Sequence, residues 1–367
     1  MVGLKDVALR AGVSVSTVSR VLTGSPLVNA ETRERVQRAM DALEYRPSRV
    51  ARRLRGDRGE ASLIGLIVSD IRNPFFAEIA RGVERVAQAH GHMVFVGNSD
   101  EDEAVERRYL EMMRAERVDG IILPASSDNA SNVVELARGG LPVVCVDRRL
   151  PRATLDTVVA DNFDGAYDAV SHLLQIGHRR IGFVGGRAQL STTHERRAGY
   201  LRALADAGIA VDDGLVRAGD SRQAGGRQGA RELLELPQPP TALLVGNNLM
   251  TLGALEAIYA LGLRIPDDVA VVGYDDMPWA VAFNPPLTAV RQPGQELGRR
   301  AAELLLARIA DPSRSTTTIT LKPELIVRQS CGVGREAKIR ARVRREERAA
   351  GGRAGAEPSA GRGSAAA

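Results

Sequence analysis

The order of apolar and polar positions divides the chain into a short helical head and a long body of strands and helices. In the head, Leu4, Val7, Ala8 and Ala11 recur at i, i+3, i+4 and i+7, which predicts a helix with one buried face, ended by Gly12. After the turn Val13-Ser14, a second stretch sets Val18, Val21 and Leu22 on one side and Ser16, Ser19, Arg20 and Thr23 on the other. Gly24-Ser25-Pro26 closes it. Asn29 suits the N-cap of a third helix, in which Val36, Ala39, Met40 and Leu43 repeat the spacing. Helices this short do not stand alone, so a small bundle is expected. Two helices joined by a tight glycine-containing turn, the second with a small polar face, make the helix-turn-helix geometry that lays a helix in the major groove.

From residue 61 the pattern changes to short, β-branched apolar runs alternating with amphipathic stretches. The runs fall at 63–68, 93–96, 120–123, 143–146, 157–160, 181–184, 242–245 and 269–272. Uninterrupted apolar runs describe strands buried on both faces, hence parallel sheets with helical crossovers. Eight such strands over about 270 residues exceed one compact lobe and predict two doubly wound lobes. Ligands of open α/β sheets bind beyond the C-terminal strand ends. The polar residues at those ends are Asp70 to Asn73, Asp147-Arg148, Asp161-Asn162, Asn247-Asn248 and Asp275-Asp276. Singly each is a turn former; their repetition at strand ends predicts a cleft between the lobes.

Charge sharpens the division. Residues 1 to 60 hold 12 basic against 7 acidic side chains, residues 335 to 367 hold 9 against 4, and the stretch between holds 29 against 34. A basic head on an acidic body confines the polyanion contact to the head. Residues 46 to 58 carry six arginines against one acid, so their repulsion disfavours a free helix, while phosphate would remove it. Val50, Ala51 and Leu54 share a face of the helix that would form, an apolar edge suited to minor-groove insertion. The last stretch has almost no large apolar side chains and is expected to be a disordered basic tail over 333–367.

Other classes find no support. There is no nucleophile elbow or phosphate loop, and Gly225-Gly226 with Gly229 lacks the dinucleotide fingerprint. Five histidines and the cysteines Cys145 and Cys331 show no triad, disulfide or metal spacing, so neither metal nor cofactor is expected. No apolar run approaches the ~20 residues of a membrane helix, and the first residues lack a signal-peptide pattern. A cytoplasmic protein without membrane contact is expected.

At this point Leu4-Lys5-Asp6-Val7-Ala8, Gly12-Val13-Ser14, Thr17-Val18-Ser19-Arg20-Val21-Leu22, Thr32-Arg33 and Tyr45-Arg46-Pro47-Ser48-Arg49-Val50-Ala51 resemble the head of the LacI/GalR family of repressors. The body continues the resemblance through Asn73-Pro74-Phe75-Phe76-Ala77-Glu78, Val146-Asp147-Arg148, Gly177-His178-Arg179-Arg180-Ile181-Gly182, Arg196-Arg197-Ala198-Gly199-Tyr200 and Val272-Gly273-Tyr274-Asp275-Asp276. The resemblance implies an all-α helix-turn-helix domain over 1–45, a hinge helix over 46–60, and a two-lobed, periplasmic-binding-protein-like effector domain over 61–332. Lobe one would span about 61–160 and 291–320, and lobe two about 161–290 and 321–332.

It further implies that Val15 and Ser16 open the recognition helix, flanked by Ser14 and Thr17, that Arg20 reads a base edge, and that Asn29 lies beside the DNA. In the hinge, Leu54 takes the place of the family's minor-groove lever. Ala51, Arg49 and Arg52 sit beside it, and Ser48 stands where the family often has asparagine. The effector positions carried over are Asn73, Phe75, Phe76, Asp147, Arg148, Arg196, Asn247 and Asp275, a set of carboxylates, amides and guanidinium suited to a polyol. Two departures stand out. Asn248 replaces the usual aspartate, and Ser221 occupies a position often held by a stacking aromatic, for which Trp279 is the one candidate substitute. The expected function is a homodimeric, or higher-order, repressor of a pseudo-palindromic operator on double-stranded DNA, controlled by a sugar-like effector. A nucleobase or a phosphorylated intermediate is the alternative ligand.

Overall fold

The computed structural model describes residues 2–22, 24–45, 62–127, 131–151 and 153–354. The head is three helices, α1 (Leu4–Ala11), α2 (Val15–Leu22) and α3 (Ala30–Ala42). Gly12, at φ 64°, takes the left-handed turn that ends α1, and Val7, Ala8, Val18, Val21, Val36 and Met40 close the core between the three.

The body begins with β1 (Ser62–Val68), α4 (Pro74–Ala89), β2 (His92–Asn98), α5 (Glu103–Ala115), β3 (Gly120–Leu123), α6 (Ser131–Arg138), β4 (Val143–Val146) and β5 (Asp156–Ala160). The chain then crosses to the second lobe through α7 (Asn162–Ile176), β6 (Ile181–Gly185), α8 (Ser191–Asp206), β7 (Val216–Ala218), α9 (Gln223–Leu234), β8 (Ala242–Val245), α10 (Asn248–Ala260), β9 (Ala270–Tyr274) and β10 (Thr288–Arg291). It returns to the first lobe for α11 (Gly294–Ala310) and β11 (Thr318–Leu321), and crosses a third time to β12 (Glu324–Ile326) and α12 (Glu336–Ala354).

Each lobe holds a six-stranded sheet, in the orders β11-β5-β4-β3-β1-β2 and β12-β10-β9-β8-β6-β7. All pairings are parallel except β10 with β12. β3, β4, β5, β6, β8 and β9 are buried throughout, as unbroken apolar runs require when helices cover both faces. The strands absent from the sequence reading, β7, β10, β11 and β12, are three or four residues long, and all but β10 sit at a sheet edge with half-exposed side chains. Too short or too polar, they show no unbroken apolar run.

Helices cross closely where a glycine lets backbones meet. A side chain at Gly82 of α4 would run into the Gln295 carbonyl, and one at Gly253 of α10 into the Gln223 carbonyl.

The tail corrects the sequence reading. Residues 336–354, expected to be disordered, form α12, and only 355–367 of that stretch lie outside the described residues. Composition hid the reason. Ile339 and Val343, one turn apart, are buried against lobe two, and the Arg342 guanidinium donates to the carbonyls of Asp267 (2.8 Å), Asp268 (2.7 Å) and Thr241 (3.3 Å). Arg335 adds an ion pair with Asp267. Two well-placed apolar side chains and one guanidinium bonded to three carbonyls suffice to dock a helix that its average hydropathy would leave free.

Candidate effector cleft and DNA-reading head

The eight residues carried over as effector positions, Asn73, Phe75, Phe76, Asp147, Arg148, Arg196, Asn247 and Asp275, line one cavity of about 40 Å³ between the lobes. Parallel strands bring them together. Asp147 follows β4 and Asp275 follows β9, the matching positions of the two sheets, and both take φ 68°. A left-handed aspartate costs conformational energy, and it is held here where the strand end must turn its carboxyl into the cleft.

Several of these groups are positioned by hydrogen bonds that also constrain what they can do. The Asn73 amide oxygen caps α4 by accepting from Phe75 N (2.9 Å), and it accepts from Asn248 Nδ2 across the lobes (2.7 Å). Asn248, the departure from the family aspartate, thus ties the closed lobes together without adding charge. Asn247 caps α10 by accepting from Met250 N (2.8 Å) and donates to the Ser221 carbonyl (2.9 Å). Arg196 lies 3.7 Å over the Tyr274 ring, and its Nε donates to Asn162 Oδ1 (2.8 Å) while an Nη donates to the Gly246 carbonyl. Arg148 spends both Nη groups inside lobe one, on Glu101 (2.9 and 2.5 Å) and the Ala125 carbonyl (3.0 Å). Its Nε stands 3.5 Å from Asp147, so it acts on the cleft through that carboxylate.

The cleft is rich in acceptors. Burial pushes the Asp147 carboxyl up to about 6 against the pull of Arg148 and Arg196, and burial also raises Asp275, which accepts from Gln292 Nε2 at 2.5 Å. Gln292 Oε1 and Asn248 Oδ1 are buried oxygens with no partner among the described residues.

Sequence reasoning missed Glu101 and Gln292 on the cavity wall. Gln292 follows β10 as Asp275 follows β9, so the strand-end rule would have found it had β10 been recognised. Trp279 is exposed and does not line the cavity, whereas Ser221 does, in a left-handed turn at φ 66°.

In the head, Ser14 Oγ caps α2 by accepting from Thr17 N (3.1 Å) and lies 2.7 and 2.8 Å from the hydroxyls of Ser16 and Thr17. Val15, Ser16 and Arg20 are exposed on α2. Asn29 caps α3, its Oδ1 accepting from Thr32 N (2.8 Å). Ser48, Arg49, Ala51, Arg52 and Leu54 lie outside the described residues.

Residues 61–327 match the family described as periplasmic binding proteins and sugar binding domain of the LacI family, and residues 3–48 match bacterial regulatory proteins of the lacI family. The chain belongs to the LacI family. Among LacI-family relatives, the transcriptional repressor CytR of Escherichia coli is 36% identical over 327 residues, covering 89% of this chain and 95% of its own. The repressor PurR of Erwinia tasmaniensis is 38% identical over 337 residues, covering 91% and 98%. Two solved structures span 90% of the chain. One is the lac repressor dimer bound to operator and an anti-inducer, with TM-score 0.72, 32% identity and 99% of that chain covered. The other is the transcriptional regulator CelR in complex with cellobiose, with TM-score 0.69, 34% identity and 100% covered. This LacI-family chain is therefore an effector-regulated, DNA-binding transcriptional repressor and not an enzyme.

Proposed function

We propose that the interlobe cleft takes a small polyhydroxylated, sugar-like effector and that its occupancy sets the affinity of the head for a pseudo-palindromic operator. The observation that supports the ligand class is the acceptor set. Two carboxyls and the unpartnered Gln292 amide oxygen call for a ligand with several hydroxyl donors, because a buried acceptor left unpaired costs ~1–3 kcal/mol. Arg196, held flat on Tyr274, supplies the opposing donor. The 40 Å³ cavity is far smaller than the ~300–1,000 Å³ of a ligand pocket, so the lobes part to admit the effector and close on it.

At the DNA, Val15, Ser16 and Arg20 read base edges from α2, with Ser14 and Thr17 setting the start of that helix, and Asn29 approaches the backbone from the cap of α3. The hinge residues Ser48, Arg49, Ala51, Arg52 and Leu54 contact the minor groove. Two protomers act together, in the cytoplasm. The exposed Met93, Phe95 and Val96 on edge strand β2, with Tyr259, Trp279 and Val281 on lobe two, are the apolar surface available to cover.

Footprinting on the DNA flanking the coding region, repeated with a panel of sugars, tests the reading. One palindromic protected site whose protection changes with one sugar class is expected. Leu54→Ala leaving operator affinity intact would overturn the docking, and Asp275→Ala leaving the effector response intact would overturn the cleft assignment.

A further inference from the structure

We propose that α12 carries a second DNA-binding surface, at the pole of the molecule opposite the head, which takes the phosphate backbone of a separate duplex. The helix lies outside the residues that match the family, which end at 327, and neither the cleft nor the head uses it. Its docking fixes its rotation. Ile339, Arg342 and Val343 face lobe two and the stem of Arg340 lies against Gly177, while the charged ends of Lys338, Arg340, Arg344 and Arg345 are exposed, Arg340 near Glu336 and Lys338 near Asp267 but neither within ion-pair distance of a described side chain. Four cations therefore stand on about 10 Å of helix, a density that suits a phosphate chain. They are not part of a generally basic surface, since residues 61 to 334 carry more acid than base.

Topology sets the distance from the head. α12 packs beside Gly177, Thr241 and Asp267, the residues that precede β6, β8 and β9, so it covers the N-terminal strand ends of lobe two. The head joins the body at Ser62, the N-terminal end of β1 in lobe one, while the cleft lies at the C-terminal ends of both sheets. The Ser62 end of the body, where the head is joined, and the tail helix are thus separated by the strand lengths of both lobes, on the order of 40 Å, which favours a different duplex at each. DNA held by α12 is a different segment, and the protein joins the two.

The test uses the full-length protein. An immobilised duplex of about 40 base pairs is loaded with protein in about 50 mM salt, washed, and offered a fluorescent random-sequence duplex. Wild type captures the second duplex. A variant with Lys338, Arg340, Arg344 and Arg345 each changed to Gln keeps the buried anchor, binds the first duplex as before, and loses capture at least tenfold. Removing four cations lowers the salt slope of capture by up to about 3.6. Arg340→Lys with Arg344→Lys, which keeps the charge, retains capture. The proposal is overturned if wild type captures no second duplex, whatever other anion it binds, or if the four-fold Gln variant captures as well as wild type. Thermal unfolding of the variant at the wild-type temperature shows that lost capture reflects charge and not a detached helix.

Discussion

Replacing Asp147 by asparagine removes one charge from the centre of the cleft and little else, since asparagine also tolerates the left-handed backbone found there. Burial raises this carboxyl from 3.8 to about 6, a gap of about two pH units, and each unit is worth about 1.4 kcal/mol. The raised value means the closed, folded state favours the protonated form. The stability that follows is fully present below about pH 4 and lost as pH rises through about 6, leaving a penalty of about 3 kcal/mol at pH 7.5. Asp147→Asn is expected to recover that penalty at pH 7.5 and less than about 1 kcal/mol at pH 4. Denaturant unfolding of effector-free protein at both pH values measures it, and effector titration at pH 7.5 is expected to show binding weakened by tenfold or more. A gain equal at both pH values, or a variant less stable at pH 7.5, would refute the argument that desolvation dominates this site.

Gly253→Ala forces a methyl group into the Gln223 carbonyl where α9 and α10 cross and is expected to cost at least about 1–3 kcal/mol, read as a lower midpoint in thermal unfolding. Arg196→Lys keeps the charge but loses the planar stack on Tyr274 and the fork to Asn162 and Gly246. Effector affinity measured by calorimetry is expected to fall at least tenfold, with operator affinity in the absence of effector unchanged.

The two-lobed architecture was legible because its central strands are written as short, unbroken, β-branched apolar runs of the kind a doubly covered parallel sheet buries. Their observed limits differ from the expected ones by a residue or two, as at β2 and β9. The edge strands β7, β11 and β12 were not legible, because partial exposure dilutes the pattern that marks a buried strand, whereas edge strand β2 kept its apolar run; Gln292 was lost with the short β10. Within the cleft, residue identities gave the cast but not the division of labour. No spacing rule distinguishes Arg196, stacked on an aromatic and facing the cavity, from Arg148, consumed by Glu101. The tail helix was hidden for a similar reason, since its docking rests on Ile339, Arg342 and Val343, three residues in a stretch whose average reads as solvated.

The three crossings between the lobes have a consequence for biosynthesis. Lobe one is not contiguous: β1 to β5 leave the ribosome early, but α11, which packs on α4, and β11, which pairs with β5, follow only after nearly all of lobe two. The DNA-reading head is contained in the first 45 residues and can fold as soon as it emerges, whereas the unit that restrains it is complete only near the end of translation. A nascent chain would thus present its address before its regulator, and a truncated product would keep a DNA-binding head without the sensor that governs it.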